Sequence, residues 1–228
     1  YQLCKGASPE QREELYLQSH TVSDFAYLSC SEVLEIDGVD DADDFSVTQR
    51  AMSLIGISEG EQLEALKIVS AILHMGNILF SDALESDSAV MDGSLVKDGS
   101  EKHLKAAASL LGVQEDDLEQ ALTTRTIVAP DNTYRKGLSP SDAVKARDAL
   151  SKTLYEKLFN WVVEAVNRNM HSDSATSHKL SIGILDIYGF ESFKTNSFEQ
   201  LCINLANEHL QQHFNFQVLR HEQEEYTK

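Results

Sequence analysis

The segment Leu180-Ser-Ile-Gly-Ile-Leu-Asp-Ile-Tyr-Gly-Phe-Glu191 constrains the fold more than any other part of the chain, because an apolar run there ends in an Asp, a Gly and a Glu. The pattern predicts a buried strand carrying Ile182, Ile184 and Ile187. The turn that leaves such a strand commonly carries functional groups. A carboxylate in that turn can stand near a metal, and a glycine N–H can stand near a phosphate. The expected chemistry is the handling of nucleotide phosphates.

Most of the remaining sequence is punctuated for helices. Ser8 with Gln11, Ser58 with Glu61, and Asn196 with Glu199 each place an acid or amide three residues after a small polar N-cap, so that the two can bond reciprocally. Pro9 and Pro140 follow serines, at the first helical position, where a missing N–H does no harm. Leu63, Leu66, Val69, Ile72 and Leu73 recur at helical spacing up to Gly76, which reads as a fraying end. Leu150, Leu154, Leu158, Trp161, Val162, Ala165 and Val166 mark a longer helix with one apolar side. From Asn196 onward, Phe198, Leu201, Cys202, Leu205, Phe214 and Val218 predict a further core helix. Ser81 to Ser100 reads as a surface excursion with one hairpin. The fold class expected is mainly α with a few β-strands.

Composition narrows the function. The chain has 228 residues, 42% of them hydrophobic, enough for one large core or two small ones. Its net charge of -18 argues against a nucleic-acid or anionic-membrane surface over most of the molecule. No apolar run approaches the roughly 20 residues that span a bilayer, and the first residues lack a signal-peptide layout, so a cytoplasmic setting is expected. Cys4, Cys30 and Cys202 have no framework spacing and read as reduced, buried thiols. The acidic run Asp37 to Asp44 carries its Gly second rather than sixth, unlike an EF-hand, and reads as a solvated helix N-terminus. His209 and His213 fall at i, i+4, but His-Leu-Gln-Gln-His lacks the Glu of a zinc protease; they read as surface or packing histidines.

Asp186-Ile-Tyr-Gly-Phe-Glu191, followed by Asn196-Ser-Phe-Glu-Gln-Leu-Cys-Ile-Asn204 and Glu222-Gln-Glu-Glu-Tyr226, closely resembles the myosin motor domain. Tyr1-Gln-Leu-Cys4, Ala71-Ile-Leu-His-Met-Gly-Asn77 and Ala146-Arg-Asp-Ala-Leu-Ser-Lys152 resemble further blocks of that family, in the same order. The resemblance implies part of a P-loop NTPase-type myosin head. Residues 1–179 would be an upper-domain helical region, 180–195 the switch II strand and turn, and 196–228 the relay helix. It also implies ATP with Mg²⁺ as cofactor, and Asp186, Gly189 and Glu191 as catalytic residues. Asp186 would hold a water in the metal's shell, Gly189 would offer its N–H to the γ-phosphate, and Glu191 would pair with an arginine of switch I.

No Gly-x-x-x-x-Gly-Lys-Ser/Thr phosphate loop occurs in the sequence. The resemblance places that loop and switch I before Tyr1, and the converter and a lever arm with light chains or calmodulin beyond Lys228. The chain alone is therefore expected not to hydrolyse ATP. The strand at Leu180 to Ile187, without neighbours on its edges, predicts aggregation of the isolated fragment.

Between Thr123 and Pro140, Arg125, Arg135 and Lys136 face one acid, Asp131, in an otherwise acidic chain. The segment reads as an exposed loop. The resemblance implies that it touches actin filaments through Arg125, Thr133, Tyr134, Arg135 and Lys136. Thr133 lies fifteen residues before Asp148, where the family tends to carry an acid or a phosphorylatable residue, so the resemblance implies phosphorylation there. Ser151 departs from the family's usual Asp-Ala-Leu-Ala-Lys. The Tyr188 to Tyr226 region resembles plant-type unconventional myosins of classes VIII and XI, whereas Thr133 resembles classes VIII and I. The readings that follow are a fragment of an actin-based ATP-driven motor, a non-enzymatic helical scaffold, or a myosin-derived actin-binding protein that does not hydrolyse ATP.

Overall fold

The computed structural model describes residues 1–30, 33–83, 93–129, 132–170 and 182–226. The chain divides into two compact units, Tyr1–Asp173 and Ser174–Lys228.

In the first unit the local signals act as the sequence predicts. Helix α1 (Gln2–Gly6) is followed by α2 (Pro9–Glu14), where the Ser8 hydroxyl accepts from the Gln11 N–H and the Gln11 side chain accepts from the Ser8 N–H. The acidic run becomes the start of α3 (Asp41–Leu54), with the Asp40 carboxylate accepting from the Ala42 and Asp43 N–H groups. Four orphan N–H groups and a positive dipole end favour acids at that position. Ser58 and Glu61 close a second capping box at the head of α4 (Glu59–Gly76). Strands β1 (Phe80–Asp82) and β2 (Ser94–Val96) pair antiparallel with Phe80 opposite Val96, and residues 84–92 between them lie outside the described residues.

Helices α5 (Glu101–Leu111) and α6 (Glu115–Thr123) follow. Gly112 ends α5 at φ 67°, the left-handed conformation that terminates helices with least strain in glycine. The 31-residue α7 (Pro140–Met170) turns Leu150 and Leu154 toward Met75, Ile78, Leu104, Ala107 and Leu122. A second cluster gathers Leu3, Leu15, Leu17, Phe25, Phe45, Leu66 and Leu73. Fully burying side chains of this size stabilises by about 1.5–3 kcal/mol each.

One guanidinium ties three segments of this unit. Arg147 on α7 is buried and donates to the carbonyls of Gly76 (3.2 Å) and Ile78 (2.8 Å), and also to Asp148 Oδ1 (2.7 Å). It thereby answers carbonyls at the end of α4 that have no partner within the helix. Tyr27 donates to the same Asp148 oxygen at 2.5 Å, and its ring lies 5.7 Å from the Arg147 guanidinium carbon. Gly76 is not merely a fraying end, since a Cβ there would stand 2.8 Å from Tyr27 Cδ2.

Several expectations are corrected. Residues 124–129 and 132–137 are not loop but the paired strands β3 (Thr124–Ala129) and β4 (Asn132–Gly137), because alternating Thr, Ile and Val suit a pleated ladder. Cys4 is buried, but Cys30 and Cys202 are exposed. All three are free thiols.

In the second unit, residues 182–193 form no strand, and Leu180 and Ser181 lie outside the described residues. Ile182 and Ile184 are 97% and 94% exposed rather than buried. A strand exists only through hydrogen bonds to a neighbour, and no segment among the described residues pairs with this one. Helix α8 (Phe198–Phe214) starts after Ser197, whose capping partner is Gln200, one residue later than the predicted Asn196 and Glu199. It continues through a π-helical turn (Asn215–Arg220) into α9 (His221–Tyr226). Its apolar residues Phe198, Leu201, Leu205 and Phe214 are exposed, so the predicted core face has no cover within the described residues.

Candidate functional site

The acid-bearing segment Asp186 to Glu191 is held by the amide side chains of α8. Asn204 grips Glu191 from both sides of its backbone, accepting from the Glu191 N–H at 2.8 Å and donating to the Glu191 carbonyl at 2.8 Å. Asn207 donates to the Tyr188 carbonyl at 2.7 Å and to the Ile203 carbonyl of its own helix at 2.9 Å. Gln200 reaches Glu191 Oε2 at 3.4 Å. Residues three and four apart share a helix face, so Gln200, Asn204 and Asn207 form one polar edge directed at the segment. Asn196, displaced from its predicted capping role, brackets Phe193 by accepting from its N–H (2.9 Å) and donating to its carbonyl (2.8 Å).

Asp186 and Gly189 are exposed, and Glu191 is half-buried. A Cβ at Gly189 would meet nothing within 4 Å, so its backbone is open to an approaching ligand. The segment therefore presents two carboxylates and an unobstructed glycine on a backbone fixed at residues 188 and 191. This donor set suits a metal-bound phosphate: oxygen ligands for a hard cation, with a glycine where the backbone meets an anion. The contacts of Asn204 and Asn207 were not legible in the sequence, since two amides within an apolar stripe carry no motif. Their only signal is the i, i+3 spacing beside the acidic turn.

The predicted basic cluster lies in the first unit, on β3 and β4. The register pairs Arg125 with Lys136, Thr126 with Arg135, Ile127 with Tyr134 and Val128 with Thr133. Side chains alternate between faces. Arg125, Tyr134 and Lys136 therefore share one face, while Arg135 lies on the other. The five residues expected to act together are thus divided between two faces, and Asp131 lies outside the described residues. Arg125, Tyr134, Arg135 and Lys136 are all exposed. Like charges directly opposite, as at Arg125 and Lys136, destabilise a ladder unless something else selects for them. At the base of the hairpin, hydrogen bonds from Lys145 and Ser139 hold the Asp142 carboxyl below its usual range, with Arg125 adding to the effect.

His209 and His213 on α8 are exposed. No helix is long and apolar enough to cross a membrane among the described residues.

The myosin head (motor domain) family model matches residues 1–228. Myosin-9 of Arabidopsis thaliana is 49% identical over 229 residues, which cover 100% of this chain and 14% of that protein. Myosin-11 of the same plant is 48% identical over 228 residues, with the same coverage, and Myosin-5 is 47% identical over 229. The chain spans about one-seventh of the length of these relatives. With the family pattern running from the first residue to the last, the chain belongs to the myosin head (motor domain) family.

Proposed function

We propose that this chain is part of an actin-based motor that couples ATP hydrolysis to movement, and that it supplies the nucleotide sensor and the helix that carries the sensor's state away. In this reading residues 1–179 are the upper-domain helical region, 180–195 switch II, and 196–228 the relay helix. The observation that carries it is the double grip of Asn204 on Glu191, supported by Asn207 on Tyr188.

Mg²⁺ with ATP supplies a cleavable phosphoanhydride and a cation that spreads the developing charge. Asp186 would hold a water of the metal's shell, the open Gly189 N–H would donate toward the terminal phosphate, and Glu191 would close the pocket by pairing with a switch I arginine. The phosphate loop and switch I come from other segments of the motor. Movement of residues 188 to 191 by a fraction of an ångström is passed to α8, because two amide side chains fix that backbone to the helix. A helix that continues into a converter and a lever arm bound to light chains or calmodulin turns that displacement into a stroke.

The hairpin is the proposed filament contact. Arg125, Tyr134 and Lys136 meet actin on one face, and phosphorylation of Thr133 adds about −1.5 to −2 charge to the hairpin. In the complete motor, Asp186→Ala and Glu191→Ala are expected to abolish ATP turnover. Asn204→Ala is expected to retain turnover while filament gliding slows at least tenfold. Equal loss of turnover and gliding in Asn204→Ala would defeat the coupling role. Equal actin affinity for Thr133→Ala and Thr133→Glu would defeat the phosphorylation role.

A further inference from the structure

Three imidazoles from distant parts of the chain meet inside the first unit. His20 comes from the segment after α2, His74 from the last turn of α4 and His103 from the first turn of α5. Their ring centroids are 5.2 Å (His74 to His103), 5.4 Å (His20 to His103) and 5.5 Å (His20 to His74) apart, nearly an equilateral triangle. A tetrahedral zinc bound by three imidazoles at about 2.0–2.1 Å separates their ring centroids by roughly 5.2 Å. One ligand nitrogen from each ring already lies within 4.8 Å of the others. The spacing required between ligand nitrogens is roughly 3.3 Å, and His74 Nδ1 and His103 Nδ1 stand 2.9 Å apart.

His74 is the second observation. It is 2% exposed, and its Nε2 is a buried polar atom without a hydrogen-bond partner. Its Nδ1 faces His103 Nδ1 at 2.9 Å, a contact that needs a proton on one of the two nitrogens. A metal ion between these nitrogens replaces that proton, which moves to Nε2 of the same ring with no net gain or loss. Backbone groups of Leu15 and Tyr16 lie within hydrogen-bonding reach of the His74 ring and favour its carrying a proton. Metal-bound histidines commonly orient themselves by such a second N–H. Burial and the neighbouring rings, with Lys102 also acting on His103, keep His74 and His103 neutral, with pKa values pushed down to about 4, and the neutral ring is the metal ligand.

We propose that His20, His74 and His103 form a three-histidine site for an imidazole-preferring divalent cation of the zinc class, with its fourth position open to water. The site is independent of the nucleotide chemistry proposed for Asp186 to Glu191. Its role is to pin the segment after α2 to the facing ends of α4 and α5.

The test is a titration of the EDTA-treated full chain with Co²⁺, read by its visible ligand-field absorption, followed by displacement with Zn²⁺. One tetrahedral Co²⁺ per chain is expected, with His20→Ala and His103→Gln each weakening binding at least tenfold. His209→Ala with His213→Ala should leave that binding unchanged. His20 is only half-buried, so its variant keeps the test valid if the His103 variant misfolds, as judged by circular dichroism. Absence of Co²⁺ binding to the wild-type chain would overturn the proposal. So would unchanged affinity in His20→Ala, or loss of the signal in the His209/His213 variant.

Discussion

Asn204 binds both the N–H and the carbonyl of Glu191 at 2.8 Å, so one amide side chain fixes the backbone on either side of a single residue. Such a side chain imposes a position on Glu191 without touching its carboxylate. Loss of that restraint is measurable in the isolated chain. Each such bond contributes about 0.5–1.5 kcal/mol net, so Asn204→Ala should speed hydrogen exchange at the Glu191 amide by roughly tenfold. Asn204→Asp keeps an acceptor for that amide and should fall between. Identical exchange rates in all three proteins would remove the grip from the account.

At Gly76 the constraint is steric. A Cβ would lie 2.8 Å from Tyr27 Cδ2, and Tyr27 is held through its hydroxyl by Asp148. Gly76→Ala should therefore lower stability in urea by about 1–3 kcal/mol, despite the better helix propensity of alanine. A stabilised variant would show that the ring yields freely.

Acid should weaken the first unit through its histidines. His74 and His103 have folded pKa values pushed below the ordinary 6.5 to about 4, chiefly by burial, with His103 and His20 adding to the shift at His74 and His20 and Lys102 at His103. His20 is lowered as well, by burial, Lys102 and Arg12 against the opposing Asp24. Below 6.5 the unfolded chain binds protons that the folded chain refuses. Stability contributed by the neutral rings is thus complete above 6.5 and is lost as pH falls toward about 4. Melting temperatures across this window should decline in the wild type and decline less in His103→Gln; parallel curves would contradict the assignment.

Tyr134 is exposed on the hairpin, so Tyr134→Ala should change urea stability by no more than about 0.5 kcal/mol. Its effect should appear instead in filament affinity of the complete motor, measured by co-sedimentation. A large loss of stability with unchanged affinity would assign the tyrosine to the fold.

The helices were legible because their causes are local. Ser8, Asp40 and Ser58 sit within three residues of the N–H groups that they cap, and the period of Leu150 to Val166 needs no partner to be seen. The hairpin was obscured because Arg125, Arg135 and Lys136 interrupt the alternation of its strands with charges that are as common in loops. The strand expected at Ile182 to Ile187 failed for the opposite reason, since local pattern cannot supply a neighbouring strand. Asp186, Gly189 and Glu191 were singled out by residue type. What fixes their backbone was not, because Asn204 gains its meaning only when α8 lies beside the turn. The three histidines are further still from legibility, because nothing in a sequence marks His20 as a neighbour of His74.

The Arg147 guanidinium also sets an order of events. It bonds the carbonyl of Gly76, 71 residues earlier, while Asp148 receives Tyr27 from 121 residues earlier. During synthesis the Gly76 carbonyl therefore has no guanidinium to answer it until 71 further residues have been made. This corner of the first unit, where Tyr27, Gly76 and Ile78 meet Arg147 and Asp148, is completed only when α7 arrives.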